Sequence, residues 1–206
     1  MSIYGTVIQD YVGFVLLEAL LYSSRISRSN KQPELRIFSM ITIMTMVACV
    51  VDSLSFLVDG RPGLFMRVVG ILTNTFCFAV NPIFIASWCL YEDLKLYKSK
   101  ARVKRIYTYA FIPAIVLVAI ALINMFLPII FYLDENNVYH RLPFNYAFYM
   151  VDIGYVLFSI YIYKSYEKRY GKPRFFPLFI MLSPILLGCG IQVLFYGVSL
   201  IWVSMG

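Results

Sequence analysis

The chain has 206 residues, of which 61% are hydrophobic, with a mean hydropathy of +0.75 and a formal net charge of +7. Soluble domains are roughly 45–50% apolar, so this composition excludes an ordinary soluble globular domain and predicts an integral membrane protein. The positive charge does not indicate a nucleic-acid partner, because the basic residues alternate with apolar segments along the chain.

Apolar runs long enough to cross a bilayer recur along the sequence. A transmembrane helix needs about 20 mostly apolar residues, because backbone amides outside a helix have no partner in hydrocarbon. We therefore predict an all-α, polytopic membrane helix bundle that forms a single domain over residues 1–206, with six full spans and the start of a seventh. The predicted spans are Gly5–Ser23, Arg36–Val58, Leu64–Tyr91, Tyr107–Leu133, Phe144–Tyr163, Phe175–Tyr196 and Ser199 onward.

The basic residues predict how these spans are oriented. All but three of the 18 Lys and Arg residues follow the first, third and fifth predicted spans, and the exceptions are Arg61, Arg67 and Arg141. Short loops rich in Lys and Arg stay in the cytoplasm. The pattern therefore predicts a multi-pass membrane protein whose N-terminus lies outside.

Five polar residues from five predicted spans fall in the outer half of the membrane, when position is converted to depth at about 1.5 Å per residue. They are Asp52, Asn74, Asn124, Asp152 and Gln192. An ionisable group near the bilayer centre costs about 2.5–3.5 kcal/mol, so it needs a partner or a function. If the five face one interior, they form an outward-facing pocket for a small polar ligand. Alternatively, they hydrogen-bond neighbouring helices and fix the packing, at roughly 0.6 kcal/mol each.

The connection between the fourth and fifth predicted spans, Asp134–Pro143, is longer than a helical hairpin requires. We interpret it as a lid over the pocket, with Tyr139 and Arg141 among the ligand-binding residues. Arg67, at the outer mouth of the third span, is expected to reach Asp52 or Asp152, and it completes the predicted binding set.

Proline and glycine mark candidate hinges. We assign this role to Asn81 and Pro82 in the third span, and to Pro184, Gly188 and Gly190 in the sixth, because proline removes a helical hydrogen bond and glycine allows close helix approach. The alternative is that membrane helices tolerate both residues generally.

Chemistry-bearing motifs are absent from the sequence. It has no HExxH, no GxSxG, no Walker loop and no nucleotide-binding glycine fingerprint. The four cysteines form no CxxC pair and fall in predicted spans, where they are expected to pack as small residues. We therefore predict no catalytic residue, metal or cofactor for this chain.

The segment Phe131–Tyr146, with its core Asn137-Val-Tyr-His-Arg141, resembles the N-terminal multi-helix membrane sensor region of bacterial GGDEF (diguanylate cyclase) signalling proteins, which are related to seven-helix histidine-kinase sensors. Further similarity lies in Asn81-Pro82 followed by Trp88 and Tyr91, in Pro113, in Pro184 through Gly190 to Gln192, and in Tyr196-Gly197 and Ile201-Trp202. The chain departs from the family in having Leu142 where a glycine follows the arginine.

This resemblance implies a sensory input module in the bacterial cytoplasmic membrane. The module would bind an unidentified small ligand or a lipid and control an effector beyond residue 206, such as a diguanylate cyclase that makes cyclic di-GMP, or a histidine kinase. It also implies a homodimer. Membrane lipids are further expected partners of an integral membrane protein, and the distribution of the basic residues predicts no nucleic-acid partner.

The alternative from another class is a small transporter or channel. A permeation path needs polar groups in the inner half of the membrane as well. Beyond Asn81 and Glu18 that half is aromatic and apolar in the predicted spans, which favours sensing over transport.

Overall fold

The computed structural model describes residues 3–26 and 33–173 of the chain. This part consists of six α-helices and one two-stranded antiparallel sheet. The helices are α1 (Ile3–Ile26), α2 (Pro33–Val58), α3 (Leu64–Tyr97), α4 (Lys100–Ala110), α5 (Ile112–Ile123) and α6 (Asn145–Tyr170); strands β1 (Phe131–Leu133) and β2 (Tyr139–Arg141) lie between α5 and α6.

The predicted bundle of six full spans and the start of a seventh is wrong. Within the described residues, α2, α3 and α6 are long and apolar enough to cross a membrane, and the bent pair α4 and α5 makes a fourth only if it is one broken span. Helix α1 is not among them and carries Asp10 and Glu18. The predicted spans Phe175–Tyr196 and Ser199 onward lie outside the described residues. The fold is therefore compatible with a membrane protein that has fewer spans than the apolar runs indicate.

The fourth predicted span, Tyr107–Leu133, shows why counting apolar runs failed. Helix α4 ends at Ala110, α5 begins at Ile112 with Pro113 in its first turn, and the two helices differ in direction by 42°. Proline suits a first turn, because the N–H it lacks has no helical partner there. The apolar run then continues into β1, whose alternate residues are buried, and apolarity alone does not separate a buried strand from a helix.

Helix α3 is the central element of the fold. It begins at Leu64, where the predicted third span begins, but it continues past Tyr91 to Tyr97. Lys98 then adopts a left-handed conformation with φ 52°, and the Ser99 side chain caps α4. Helix α3 packs against α2, α4, α5, α6 and β1, while α1 packs on α2.

The two ends of α3 differ in charge. The start of α2 and the end of α6 meet the C-terminal end of α3. There Lys98 pairs with Glu34, and the ring centroids of Tyr97 and Tyr166 lie 5.3 Å apart. Residues near this end carry much of the basic charge, and we call it the basic end. The opposite end, formed by the start of α3 and the β1–β2 hairpin, is the hairpin end.

Candidate functional site

The hairpin at the hairpin end has a short, well-bonded turn. Strands β1 and β2 pair in antiparallel register, with Tyr132 opposite His140 and their rings stacked 5.0 Å apart. Asp134 Oδ1 accepts hydrogen bonds from the backbone N–H groups of Asn136 and Val138, both at 2.9 Å. Asn137 has φ 62°, a left-handed conformation that asparagine tolerates in turns. The segment predicted to be a lid is therefore an ordered hairpin.

The hydrogen bonds of this turn stabilise the ionised form of the Asp134 carboxyl. Hydrogen bonds from the Val138 backbone N–H, and then from the His140 ring, hold the pKa of the Asp134 carboxyl below its usual range. The ring nitrogen Nε2 of His140 lies 3.1 Å from Asp134 Oδ2. A carboxylate that accepts several hydrogen bonds is stabilised in its ionised form.

Arg67 joins α3 to this hairpin. Its guanidinium donates to the backbone carbonyls of Asp134 at 2.8 Å and Leu133 at 3.0 Å, and to Asn137 Oδ1 at 3.2 Å. Asn137 in turn donates through Nδ2 to the carbonyl of Arg61 at 2.8 Å. In the described part of the chain Arg67 forms no ion pair with Asp52 or Asp152, which differs from the sequence-based expectation.

The Asn124 side chain hydrogen-bonds the backbone of the loop between α5 and β1. Its Oδ1 accepts from the backbone N–H groups of Ile129 and Ile130, both at 2.6 Å, and of Phe131 at 3.3 Å, while its Nδ2 donates to the Phe131 carbonyl at 3.1 Å. The residue is 5% exposed. Its hydrogen-bonding capacity is used by its own loop.

The loop residues of the predicted binding set also take part in the hairpin structure. The Tyr139 backbone N–H donates to Asp59 Oδ1 at 2.8 Å, and the Tyr139 ring lies 5.4 Å from that of Phe131. Arg141 Nη1 donates to the Tyr149 hydroxyl at 3.4 Å. Both residues therefore help to hold the hairpin against its neighbours.

Two buried carboxyl groups meet between α1, α2 and α3. Ser53 donates to Asp10 Oδ2 at 2.8 Å, and Cys77 Sγ lies 3.9 Å from Asp52 Oδ1. Asp10 is 1% exposed and its Oδ1 has no hydrogen-bond partner in the described residues. Asn74, one of the predicted site residues, instead donates to the Gly70 carbonyl of its own helix at 2.8 Å.

Asp152 pairs with Asn81 across the contact between α3 and α6, which we call the α3–α6 seam. Asn81 Nδ2 donates to Asp152 Oδ2 at 2.8 Å. The remaining side-chain oxygens, Asn81 Oδ1 and Asp152 Oδ1, are buried and have no hydrogen-bond partner in the described residues. Helix α3 continues through Pro82, so the structure shows a polar pair at this predicted hinge within one unbroken helix.

Glu92 lies further along the same seam and is fully buried. Its Oε2 accepts from the Ser159 hydroxyl, and its Oε1 has no partner in the described residues. Ser159 and Trp88 also line a cavity of about 10 Å³ between α3 and α6. A cavity of this size holds no more than about one water molecule, so it is too small for an organic ligand.

Ion pairs surround the basic end. Asp93, fully buried, accepts from Arg102 Nε at 2.8 Å, and the Arg102 guanidinium lies 3.9 Å from the centre of the Tyr97 ring. Glu34, 4% exposed, pairs with Lys98. These contacts fix α4 and the start of α2 to the end of α3.

Glu34, Glu92 and Asp93 are not among the residues predicted from the sequence. Glu92 and Asp93 follow Tyr91, where the predicted span ended, and so they lay outside the predicted spans. The uninterrupted helix-forming stretch Glu92–Tyr97 continues α3 beyond Tyr91, and it was the sequence signal that could have placed these two residues in the helix. Their partners on other elements could not be read from local spacing.

Among the described residues, no hydrogen bond joins one predicted pocket residue to another. Asp52 lies at the α1–α2–α3 contact, Asp152 at the α3–α6 seam, and Asn74 and Asn124 bond their own segments. Gln192, with the predicted hinge residues Pro184, Gly188 and Gly190, lies outside the described residues. Ligand binding by this set stays a prediction.

Comparisons with known proteins do not assign the chain. No protein-family model, curated protein or solved structure matches it. In the described residues, no group of three or more His, Cys, Asp or Glu side chains is arranged to hold a metal ion.

Proposed function

We propose that the chain is the membrane-embedded sensory input module of a bacterial signal-transduction protein, and that α3 carries the signal from the hairpin end to the basic end. The continuity of α3 carries this proposal. One helix of 34 residues binds the hairpin through Arg67 and the start of α4 through Asp93. At 1.5 Å per residue, these two residues are about 40 Å apart along the axis.

The contacts at each end suit a transmitter. The hairpin is tied to α3 by charge-assisted hydrogen bonds, so a ligand that displaces the hairpin also displaces α3. At the basic end the same helix holds α4 and the start of α2 through ion pairs. A small polar or amphipathic ligand, or a lipid headgroup, would act by binding one arrangement of these elements better than another.

The charge distribution supports an orientation for the module. Basic loops are retained in the cytoplasm, so the basic end would face the cytoplasm of a multi-pass protein in the bacterial cytoplasmic membrane, and the hairpin would lie outside. The effector would be a diguanylate cyclase or histidine kinase beyond residue 206, acting in a homodimer.

A pair of glycine variants tests this coupling. A Cβ at Gly70 on α3 would lie 3.1 Å from Leu133 Cδ1 of β1, whereas a Cβ at Gly154 on α6 would have no such neighbour within 4 Å. Gly70→Ala therefore shifts the hairpin against α3, and Gly154→Ala is the matched control. Each variant would be fused to a diguanylate cyclase reporter, and cellular cyclic di-GMP measured at equal membrane levels.

We expect Gly70→Ala to change the cyclic di-GMP level at least twofold, and Gly154→Ala to match the parent. Equal output from the parent and both variants would reject transmission along α3.

A second candidate, proton or ion transport, is favoured by one specific observation. Buried carboxyl groups occur at the basic end as well as nearer the hairpin, since Glu92 and Asp93 are fully buried. These are the polar groups that a permeation path through that half requires. Proteoliposomes containing a pH-sensitive dye would show proton flux that Glu92→Gln reduces and Glu135→Gln, in the exposed turn, does not. Flux no higher than in protein-free liposomes would reject transport.

A further inference from the structure

The pair of Asp152 and Asn81 is unusual in its hydrogen bonding. A primary amide offers two N–H donors and one oxygen acceptor, and an ionised carboxylate offers acceptors only. One hydrogen bond joins the two side chains, from Asn81 Nδ2 to Asp152 Oδ2 at 2.8 Å. Each group then has one further buried oxygen without a partner in the described residues. If Asp152 were ionised, no hydrogen would be available between these two acceptors.

Among the described residues, no positive charge compensates Asp152. Helix α6 packs against α3 and α5, and α5 contains no titratable residue. On α3, Cys77 contacts Asp52, Cys89 donates to the Tyr155 carbonyl at 3.4 Å, and Glu92 accepts from Ser159.

The other neighbours of Asp152 on its own helix are also engaged elsewhere. One turn before it, the Tyr149 hydroxyl accepts from Arg141; one turn after it, the Tyr155 hydroxyl donates to the Ala110 carbonyl at 2.6 Å. Within the described residues, Asn81 is the one side chain that hydrogen-bonds the Asp152 carboxyl.

Burial without a countercharge determines whether the Asp152 carboxyl is ionised or protonated. Asp152 is 5% exposed, and an isolated ionised carboxylate in such a place is so costly that the group takes up a proton instead. A protonated carboxylic acid can donate from its second oxygen to the amide oxygen of Asn81. The two side chains then share two hydrogen bonds, one in each direction, and both partnerless oxygens are satisfied.

We infer that Asp152 is a neutral carboxylic acid that shares its proton with Asn81, and that the α3–α6 seam therefore contains a proton-binding site. Its ligand is the proton itself. Loss of the proton would place an ionised carboxylate against the Asn81 amide oxygen and weaken the contact of α6 with α3. This site depends neither on sensing nor on transport, so its test is independent of theirs.

Infrared spectroscopy of the full-length chain in lipid nanodiscs tests the inference. Labelling with ¹³C at the aspartate side-chain carboxyl separates Asp152 from Glu92. We expect the difference spectrum between the labelled parent and labelled Asp152→Asn at neutral pH to contain a carbonyl band of protonated aspartic acid, because asparagine keeps the paired geometry without an acid. Taking the difference separates Asp152 from other buried aspartates such as Asp10. Asp134→Asn is the matched control and should remove only signal from an ionised carboxylate. If Asp152→Asn removes an ionised-carboxylate band instead, the inference is wrong.

A second variant covers the case in which Asp152→Asn fails to fold. Asn81→Leu removes the amide but leaves the acid, so the protonated band should remain and shift to higher frequency as the hydrogen bonding is lost. A band at the parent frequency in Asn81→Leu would show that no proton is shared with Asn81, and would overturn the proposal.

Discussion

Polar groups at the hairpin end and polar groups between the helices are used in opposite ways. The side chains of Asn124 and Arg67 hydrogen-bond backbone groups of the loop and hairpin. Four carboxyl groups between helices each keep a buried oxygen with no hydrogen-bond partner in the described residues, namely Asp10, Asp152, Glu92 and Asp93. The hydrogen bonds of the hairpin end therefore favour rigidity, whereas the helix contacts retain unused hydrogen-bonding capacity.

This difference predicts that the largest loss of stability comes from the hairpin end. Asn124→Ala removes the acceptor of three backbone N–H groups. A buried donor left without a partner costs about 1–3 kcal/mol, so we expect the free energy of unfolding to fall by about 4 kcal/mol. Denaturant unfolding in detergent micelles measures the change.

Asn136→Ala is the matched control for that variant, because Asn136 is exposed and, among the described residues, its backbone N–H is hydrogen-bonded but its side chain is not. A difference of less than about 1 kcal/mol between the two variants would contradict a structural role for the Asn124 side chain.

The next largest effect is expected from Arg67. Arg67→Ala removes the Arg67 hydrogen bonds to the carbonyls of Leu133 and Asp134, and the Asp134 carbonyl keeps only the hydrogen bond from the Asn137 backbone N–H. We expect a loss of about 2–3 kcal/mol. The exposed Arg61, whose backbone carbonyl alone is bonded in this network, gives the control variant Arg61→Ala, with an effect within about 0.5 kcal/mol.

A double-mutant cycle would show whether Arg67 acts as part of a network. Arg67 Nη1 bonds Asn137 Oδ1, so Arg67→Ala and Asn137→Ala should be non-additive by about 1 kcal/mol. Strict additivity would mean that the two side chains stabilise the hairpin independently.

Smaller effects should separate two neighbouring acids at the basic end. Asp93→Asn weakens its ion pair with Arg102, which is 26% exposed, and should cost about 1–2 kcal/mol. Glu92→Gln should cost less than about 1 kcal/mol, because Glu92 has no cationic partner in the described residues and glutamine can still accept from Ser159. Unfolding of both variants under one condition measures the contrast. A larger cost for Glu92→Gln would mean that Glu92 is needed as an ion.

The smallest expected effect is a pH dependence of the turn. The hydrogen bonds of Asp134 lower its pKa below the ordinary value, which is about 3.9. The stabilisation is therefore fully present above about pH 4, and is lost as pH falls through the lowered pKa of the folded state. Hydrogen exchange at the Asn136 and Val138 amides should accelerate relative to intrinsic rates only below about pH 4. Asp134→Asn should remove this dependence, and unchanged behaviour of that variant would assign it to another group.

Helix boundaries near strong local signals agree between sequence and structure. Helix α2 ends at Val58 and α3 begins at Leu64, where the predicted second span ends and the third begins, because Gly60, Pro62 and Gly63 interrupt the helical pattern. The break after Ala110 and the hairpin after Ile123 were missed. In both places the sequence remains apolar, so hydropathy carries no boundary signal there.

The candidate site was predicted only in part. Composition alone identifies Asp52 and Asp152 as carboxylates inside apolar segments, and this requires no knowledge of contacts. Their partners come from distant positions, as with Asn81, which precedes Asp152 by 71 residues. Arg67 was expected to neutralise a carboxylate, yet it bonds hairpin carbonyls, because the packing of α3 against β1 places those acceptors within its reach.

The sequence by itself determined that the chain is rich in apolar helices, that its basic residues fall into separated clusters, and that few ionisable groups lie in the apolar segments. These are local properties, set by residue type and spacing. Only the tertiary structure decided which polar side chains stabilise the hairpin and which remain incompletely bonded between helices. A hydrogen bond depends on distance and direction between groups far apart in the chain, and packing of whole helices sets both.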